Sequence, residues 1–273
     1  MKMKVAQLQT RVYPEKEKNL DQLQTLLDRI HGEKPDLVTL GEMFTCPYVT
    51  ENFPKYAEPE GGPTWQCLST LAKEYGVYLS AGSIPIRDDA GHVYNSAYVF
   101  DRDGKQIARH DKVHLFDIYL KNGDAYKESD TLTAGDHFTV FDTEFGKIGL
   151  FICFDIRFVE TARIESLMGA KAIIVPAAFN MTTGPAHWEL SFRMRAVDNQ
   201  VYMIGTSEAR DPSTGYTGWG HSILTSPWGD VIEQLDEKEG IMINEIDMDY
   251  VDEIRAQLPI LSARRTDLYE LKF

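Results

Sequence analysis

Cys153, Glu42 and Lys112 are the side chains whose types and surroundings could together carry out acyl transfer. Cys153 ends the apolar run Lys147-Ile148-Gly149-Leu150-Phe151-Ile152 and is followed at once by Phe154-Asp155-Ile156-Arg157-Phe158. The run reads as a buried strand and Val159–Met168, closed by Gly169, as a helix, so the thiol falls on a strand-to-helix turn. Unpaired helix amides there are expected to favour thiolate. Glu42 closes the apolar segment Leu37-Val38-Thr39-Leu40-Gly41, and Lys112 sits within Arg109–Phe116. A nucleophile, a proton carrier and a cationic donor for a developing oxyanion are what amide-type acyl transfer requires. Taken singly, each has a plainer reading: a charge after a strand is ordinarily a solvated loop residue, and an intracellular cysteine is ordinarily a small packing group. Cys46 and Cys67 are read that way. The three together, each at the carboxyl end of a strand where α/β sheets bind ligands, point to a site.

A histidine partner for the thiol stays open, with His110, His114 and His187 as candidates that otherwise serve structure. His110 and His114 have ligand-like spacing, but no Glu follows the first as in the zinc-protease helix, so metal catalysis is disfavoured. Gly215-Tyr216-Thr217-Gly218-Trp219-Gly220 is neither a phosphate loop nor a dinucleotide fingerprint, and no cofactor is implied.

The elements that must position these groups follow a β/α rhythm. Lys4–Gln9 alternates as a strand, Lys18–Ile30 carries leucines at helical spacing, and Asp36–Leu40 is a second strand. Pro63–Tyr75 predicts a helix, Val77–Ile86 a strand, and Tyr94–Phe100 with Lys105–His110 a hairpin turning at Asp101–Gly104. Lys171–Val175, Ala186–Asn199 and Val201–Ser207 repeat strand, helix, strand; His221–Gln234 holds Pro227-Trp228-Gly229-Asp230 between two strand-like arms. From Asp249 the tail reads as a short helix and then extended chain. No linker, charge block or low-complexity tract divides residues 1–273, so one mixed-sheet α/β domain is expected, with the tail from about 249 contributing to oligomer contacts.

With 273 residues the chain has length for a substantial core. Its formal net charge of −14 opposes phosphate backbones and anionic lipid, so neither nucleic acid nor a membrane surface is an expected partner. No apolar run approaches a bilayer span and the N-terminus lacks a signal-peptide core, which predicts a cytoplasmic protein. Three cysteines without a Cys-x-x-Cys motif predict reduced thiols.

The sequence resembles the nitrilase superfamily of carbon–nitrogen hydrolases. Its Glu-Lys-Cys triad matches Glu42 in Gly41-Glu42-Met43-Phe44, Lys112 in His110–Phe116, and Cys153 in Ile152–Phe158. Ala177–Leu190 and Leu261–Tyr269 look most like the ω-amidases, which hydrolyse 2-oxoglutaramate and 2-oxosuccinamate. The amidases that repair deaminated glutathione share the Thr-Gly-Pro-Ala-His-Trp-Glu stretch and supply an alternative substrate class. The resemblance implies a four-layer α-β-β-α sandwich with mixed sheets and a homodimer or higher oligomer. It also implies a second glutamate beside the lysine, here Glu128, and an oxyanion donor in the backbone N–H of Phe154, where the family commonly has tyrosine.

A short 2-oxo dicarboxylate monoamide would need a pocket of restricted length with cationic or N–H donors. Phe116, Phe179, Thr183, His187 and Trp188 are expected as its walls. Arg157 and Arg195 are the charged candidates, with bracing of a helix by an ion pair as their plainer role. A catalytically idle oligomeric scaffold and a nitrile hydrolase are the competing readings.

Overall fold

Segments that read as continuous apolar runs form the central strands, because strands covered on both faces have no solvent side to alternate toward. The computed structural model describes residues 1–119 and 125–272. In chain order the strands are β1 (Lys2–Gln9), β2 (Leu37–Leu40), β3 (Glu58–Pro59), β4 (Tyr78–Arg87), β5 (Val93–Phe100), β6 (Gln106–Asp111), β7 (Asp117–Tyr119) and β8 (Ala125–Lys127). They continue as β9 (Thr139–Thr143), β10 (Gly146–Leu150), β11 (Ala172–Ala177), β12 (Tyr202–Ser207), β13 (Ile223–Thr225), β14 (Val231–Gln234) and β15 (Gly240–Asp247). The helices are α1 (Lys16–Ile30), α2 (Phe53–Tyr56), α3 (Pro63–Tyr75), α4 (Val159–Leu167), α5 (Gly184–Asn199) and α6 (Met248–Gln257).

The strands divide between two mixed sheets. The first runs β15-β1-β2-β4-β5-β6, with β3 beside β4; the second runs β14-β13-β12-β11-β10-β9. β1, β2 and β4 pair in parallel, as do β10, β11 and β12, and antiparallel strands close the flanks. Alternation along β1 shows how the layers meet. Met3 and Val5 pack with the second sheet's Ile148, Ile173 and Met203, whereas Ala6 and Leu8 pack with Leu23 and Leu27 of α1 and Leu68 and Leu71 of α3. On the far side, Ala162 of α4 and Phe192 of α5 join the cluster around Ile173 and Ile204. A polar seam runs between the sheets: Gln7 Nε2 donates to Gly205 O at 2.8 Å, and the hydroxyls of Thr39 and Thr206 lie 2.7 Å apart.

The layering is therefore helices, sheet, sheet, helices, the four-layer sandwich that the resemblance implied. Pattern reading alone had reached a single mixed sheet. It also passed over β15, whose partner β1 lies at the opposite end of the sequence, and β9. The hairpin β5–β6 turns where expected, with Gly104 at φ +78° and no room for a side chain, since a Cβ would lie 2.5 Å from Ser69 O. Beyond α6 the tail folds into turns rather than extended chain.

Candidate active site

Glu42 lies in the turn after β2, Lys112 directly after β6, Glu128 at the start of the 3-10 turn after β8, and Cys153 three residues beyond β10. β2, β4 and β6 run in the same direction, so their carboxyl ends share one edge, and the carboxyl ends of β10 and β11 meet that edge from the second sheet. Four side chains distant in sequence are thereby brought together, and all four are buried.

Lys112 Nζ lies 2.8 Å from Glu42 Oε1 and 2.9 Å from Glu128 Oε1. Tyr48 OH donates to both carboxylates, at 3.2 Å to Glu42 Oε1. Asn95 Nδ2 donates to Glu42 Oε1 at 2.8 Å and Ala178 N to Glu42 Oε2 at 3.0 Å, while Phe116 N donates to Glu128 Oε2 at 2.6 Å. A desolvated cation between two carboxylates, with the remaining oxygen sites filled by donors, is the arrangement that makes buried charges tolerable.

Burial pushes the Glu42 carboxyl above its ordinary pKa, against the pull of Lys112. Burial would strip the proton from Lys112, but Glu128 and then Glu42 more than reverse this and hold the ammonium firmly charged. The Cys153 thiol is held well above its usual value by burial and then by the Glu42 carboxylate beside it. This overturns the expectation of a thiolate stabilised by helix amides. The regular helix α4 begins only at Val159, and the acid beside the thiol outweighs Lys112. A neutral thiol beside a carboxylate of raised proton affinity is instead poised to hand over its proton at the moment of attack.

Cys153 has φ +44°, the left-handed region that non-glycine residues rarely enter, at a cost of about 1–3 kcal/mol. Asp155 anchors this bend. It accepts from Ile152 N at 3.1 Å, from His114 N and Nδ1 at 2.8 and 2.7 Å, and pairs with His110 Nε2 at 3.2 Å. The open question of a histidine partner is thus answered by geometry: His110 and His114 serve Asp155. Burial works against the Asp155 charge, but the two imidazoles outweigh it and hold the carboxyl well below its ordinary range. One acid therefore ties the segment carrying Lys112 to the turn carrying the thiol.

A small cavity opens on Cys153, lined by Phe116, Phe154, Arg157, Ala178, Phe179 and Thr183. Three expected wall residues, Phe116, Phe179 and Thr183, are among them. Arg157 also lines it; its guanidinium lies 4.8 Å from the Phe179 ring centre and meets His187 Nδ1 at 3.2 Å. His187 itself is exposed on α5 and reaches the cavity only through Arg157.

Trp188, an expected wall residue, and Arg195, a charged candidate, are also placed elsewhere. Trp188 is fully buried behind Phe179, edge-on at 5.1 Å, with its indole N–H donating to His221 O: its size is used in the core. Arg195 points to backbone, with Nε 2.8 Å from Ile156 O and Nη2 3.2 Å from Arg157 O, and pairs with Asp198. It braces the turn that carries Cys153 and does not face the cavity. Pattern reading missed Tyr48, Asn95 and Asp155; Asp155 stands two residues after the cysteine, and that proximity was its only signal.

The carbon-nitrogen hydrolase family profile matches residues 4–256. The chain belongs to the carbon-nitrogen hydrolase family. It is 46% identical over 271 residues to the ω-amidase NIT2-A of Xenopus laevis, covering 99% of this chain and 98% of that one. It is 42% identical over 269 residues to the human ω-amidase NIT2, covering 98% and 97%. Among solved structures it is similar to Saccharomyces cerevisiae Nit3, a member of branch 10 of the nitrilase superfamily, with TM-score 0.89 at 40% identity and 97% coverage of both chains. This carbon-nitrogen hydrolase therefore acts on amide-type carbon–nitrogen bonds, and its resemblance to the ω-amidases holds along the whole chain.

Proposed function

We propose that the protein hydrolyses the terminal amide of a short 2-oxo dicarboxylate monoamide, 2-oxoglutaramate or 2-oxosuccinamate, through a thioester on Cys153. The observation that carries this reading is the contact of a buried Glu42–Lys112–Glu128 cluster with a thiol that opens on a small, arginine-bearing cavity.

In this reading Glu42 takes the Cys153 proton as sulfur attacks the amide carbon, and the carbonyl π electrons move onto oxygen. Lys112 and the Phe154 backbone N–H stabilise that oxyanion. Collapse of the tetrahedral intermediate breaks the C–N bond, and ammonia departs with the proton from Glu42. Water then attacks the thioester, Glu42 accepts its proton, and the restored C=O expels the sulfur, which regains a proton from Glu42. Glu128 keeps Lys112 oriented and charged throughout.

In this reading Arg157 and Thr183, which line the cavity, receive the substrate's distal carboxylate. Among the described residues the Arg157 guanidinium meets aromatic faces and His187 rather than an acid, so it has charge to offer an anionic ligand. Similarity to the ω-amidases along the whole chain favours this substrate class over deaminated glutathione.

The same proposal makes residues 1–273 one catalytic domain that works in the cytoplasm as a homodimer, without nucleic-acid or membrane partners. Among the described residues no helix is long and apolar enough to cross a membrane, and the three cysteines are unpaired. The dimer is supported by an open groove on α5 where Leu190 (60% exposed) and Met194 (43%) face Trp228 (52%) across Gly229. Exposed Leu268 and Tyr269 in the tail extend the apolar surface available for oligomer contacts.

Ammonia release from 2-oxoglutaramate, 2-oxosuccinamate, deaminated glutathione, an N-carbamoyl compound and a small nitrile tests the assignment. Preference for the first two is expected. Preference for the tripeptide-like amide or the nitrile overturns the substrate reading, and no turnover on any of them overturns the enzyme.

A further inference from the structure

A second cavity reaches Glu42 without opening on Cys153. It is lined by Val12, Glu42, Cys46, Pro47, Tyr48, Glu208, Ala209, Asp211, Thr214, Tyr216 and Gly218, and about 20 Å³ of it admits a water-sized sphere, room for roughly one water. Glu208 is the group in it that the catalytic scheme leaves unused. This residue follows β12 directly, and its backbone touches that of the residue preceding the proposed base: a Cβ on Gly41 would lie 2.8 Å from Glu208 N. Its carboxyl rests on Gly218, where a Cβ would come within 1.8 Å of Glu208 Oε1, so glycine there is what leaves the acid room. Glu208 Oε2 accepts from Ser207 Oγ at 3.3 Å. The titratable groups sharing the cavity are Glu42, Cys46, Tyr48, Asp211 and Tyr216, and none is a cation.

We propose that Glu208 is a positioning residue for the amide-hydrolysing site, setting the charge felt by Glu42 from the cavity behind it. The inference rests on the proposed role of Glu42 as base. While Glu208 carries its proton, Glu42 faces Lys112, Tyr48 and Asn95 with no further anion at its back. Loss of that proton places a second negative charge beside the base. Glu42 then holds a proton more tightly, so it accepts the Cys153 proton more readily and returns it to the departing ammonia less readily. Burial, reinforced by Glu42, pushes the Glu208 carboxyl up to about 8, which brings this change within reach of mildly alkaline pH.

The test compares the parent protein with Glu208→Gln, a neutral isostere of the protonated acid, between pH 6 and 9.5. Two rates are followed: ammonia release from 2-oxoglutaramate, and alkylation of Cys153 by iodoacetamide, which needs no substrate. The parent is expected to keep a constant ratio to Glu208→Gln below pH 7 and to leave it at pH 9, its alkylation running ahead by about three- to tenfold, a coupling of up to one pK unit, and its ammonia release falling behind as protonated Glu42 becomes the weaker acid. Gly218→Ala, which displaces the carboxyl without changing its charge, should shift the parent's alkaline break to a different pH.

A constant ratio across the range in both rates, with Gly218→Ala also leaving the break in place, overturns the role of Glu208. Divergence in alkylation by a protein that releases no ammonia from any short amide retains Glu208 as the group acting on Glu42 and overturns the substrate reading instead. If Glu208→Gln does not fold, the Gly218→Ala profile alone decides: a shifted break supports the role, and an unmoved one overturns it.

Discussion

Lys112 carries the electrostatics of the site on one atom. Its nitrogen lies within 3 Å of two buried carboxylates, so removing it leaves two like charges facing each other out of water. Lys112→Met is expected to cost about 3–5 kcal/mol of stability, the range for breaking a buried ion pair. It should also lower ammonia release by at least about 10²–10³, the usual loss for one oxyanion donor. Denaturant unfolding and steady-state assays check the two effects separately; a stable, fully active Lys112→Met protein would contradict both.

Asp155 makes a claim about pH. Its carboxyl is held below its ordinary pKa, so it binds fewer protons in the folded than in the unfolded state near pH 4. The stability it contributes is fully present above about pH 4 and is lost as pH falls further. Asp155→Asn should lower Tm at neutral pH and flatten the fall in Tm between pH 5 and 3; curves that stay parallel to the parent's would contradict this.

The residues that chemistry demands were legible because each ends a strand-like run. Tyr48 and Asn95 were not: a tyrosine in a loop and an asparagine mid-strand have no pattern until the fold brings them to Glu42.

Elements place the turn that carries the nucleophile. Cys153 is held in a left-handed conformation between β10 and α4, and Arg195 of α5 fastens the two carbonyls that follow it. Removing that brace should disturb orientation more than binding. For Arg195→Ala, kcat is expected to fall about tenfold with KM within about a factor of two, because misplacement of a reacting group acts on the chemical step. A raised KM at unchanged kcat would instead restore Arg195 to the substrate pocket, the alternative that the sequence had set beside helix bracing.

Helices were the most readable elements. Pro63–Tyr75 matches α3 end to end, and the leucine stripe of α1 buries as its spacing requires. Buried parallel strands such as β2 and β11 were visible as short apolar runs. β15 was not, because Gly240-Ile241-Met242-Ile243-Asn244-Glu245-Ile246-Asp247 has one partly solvated face and pairs across almost the whole chain with β1. Division into two sheets was likewise hidden: a strand buried between a sheet and a helix has the same apolar pattern as one covered by helices on both sides.

For the whole molecule, two sheets stacked face to face bring carboxyl-end loops from both to one crevice, so the site cannot form in half of the fold. The outer face of α5 is left with Leu190 and Met194 facing solvent beside Trp228, which the proposed dimer would cover. Sedimentation should give twice the 31.0 kDa chain mass, and Leu190→Glu should halve it. A parent that sediments as a single chain contradicts the dimer.

The central claim is that sulfur of Cys153 carries the acyl group between loss of ammonia and attack by water. Rapid quenching of the protein with 2-oxoglutaramate, followed by intact-mass and peptide mass spectrometry, measures it directly. The account predicts a transient mass increase equal to the substrate less ammonia, located on the peptide containing Cys153 and absent from Cys153→Ala, which should also release no ammonia. Turnover by a folded Cys153→Ala protein at the parent rate, or an adduct on Cys46 or Cys67 instead, would contradict it.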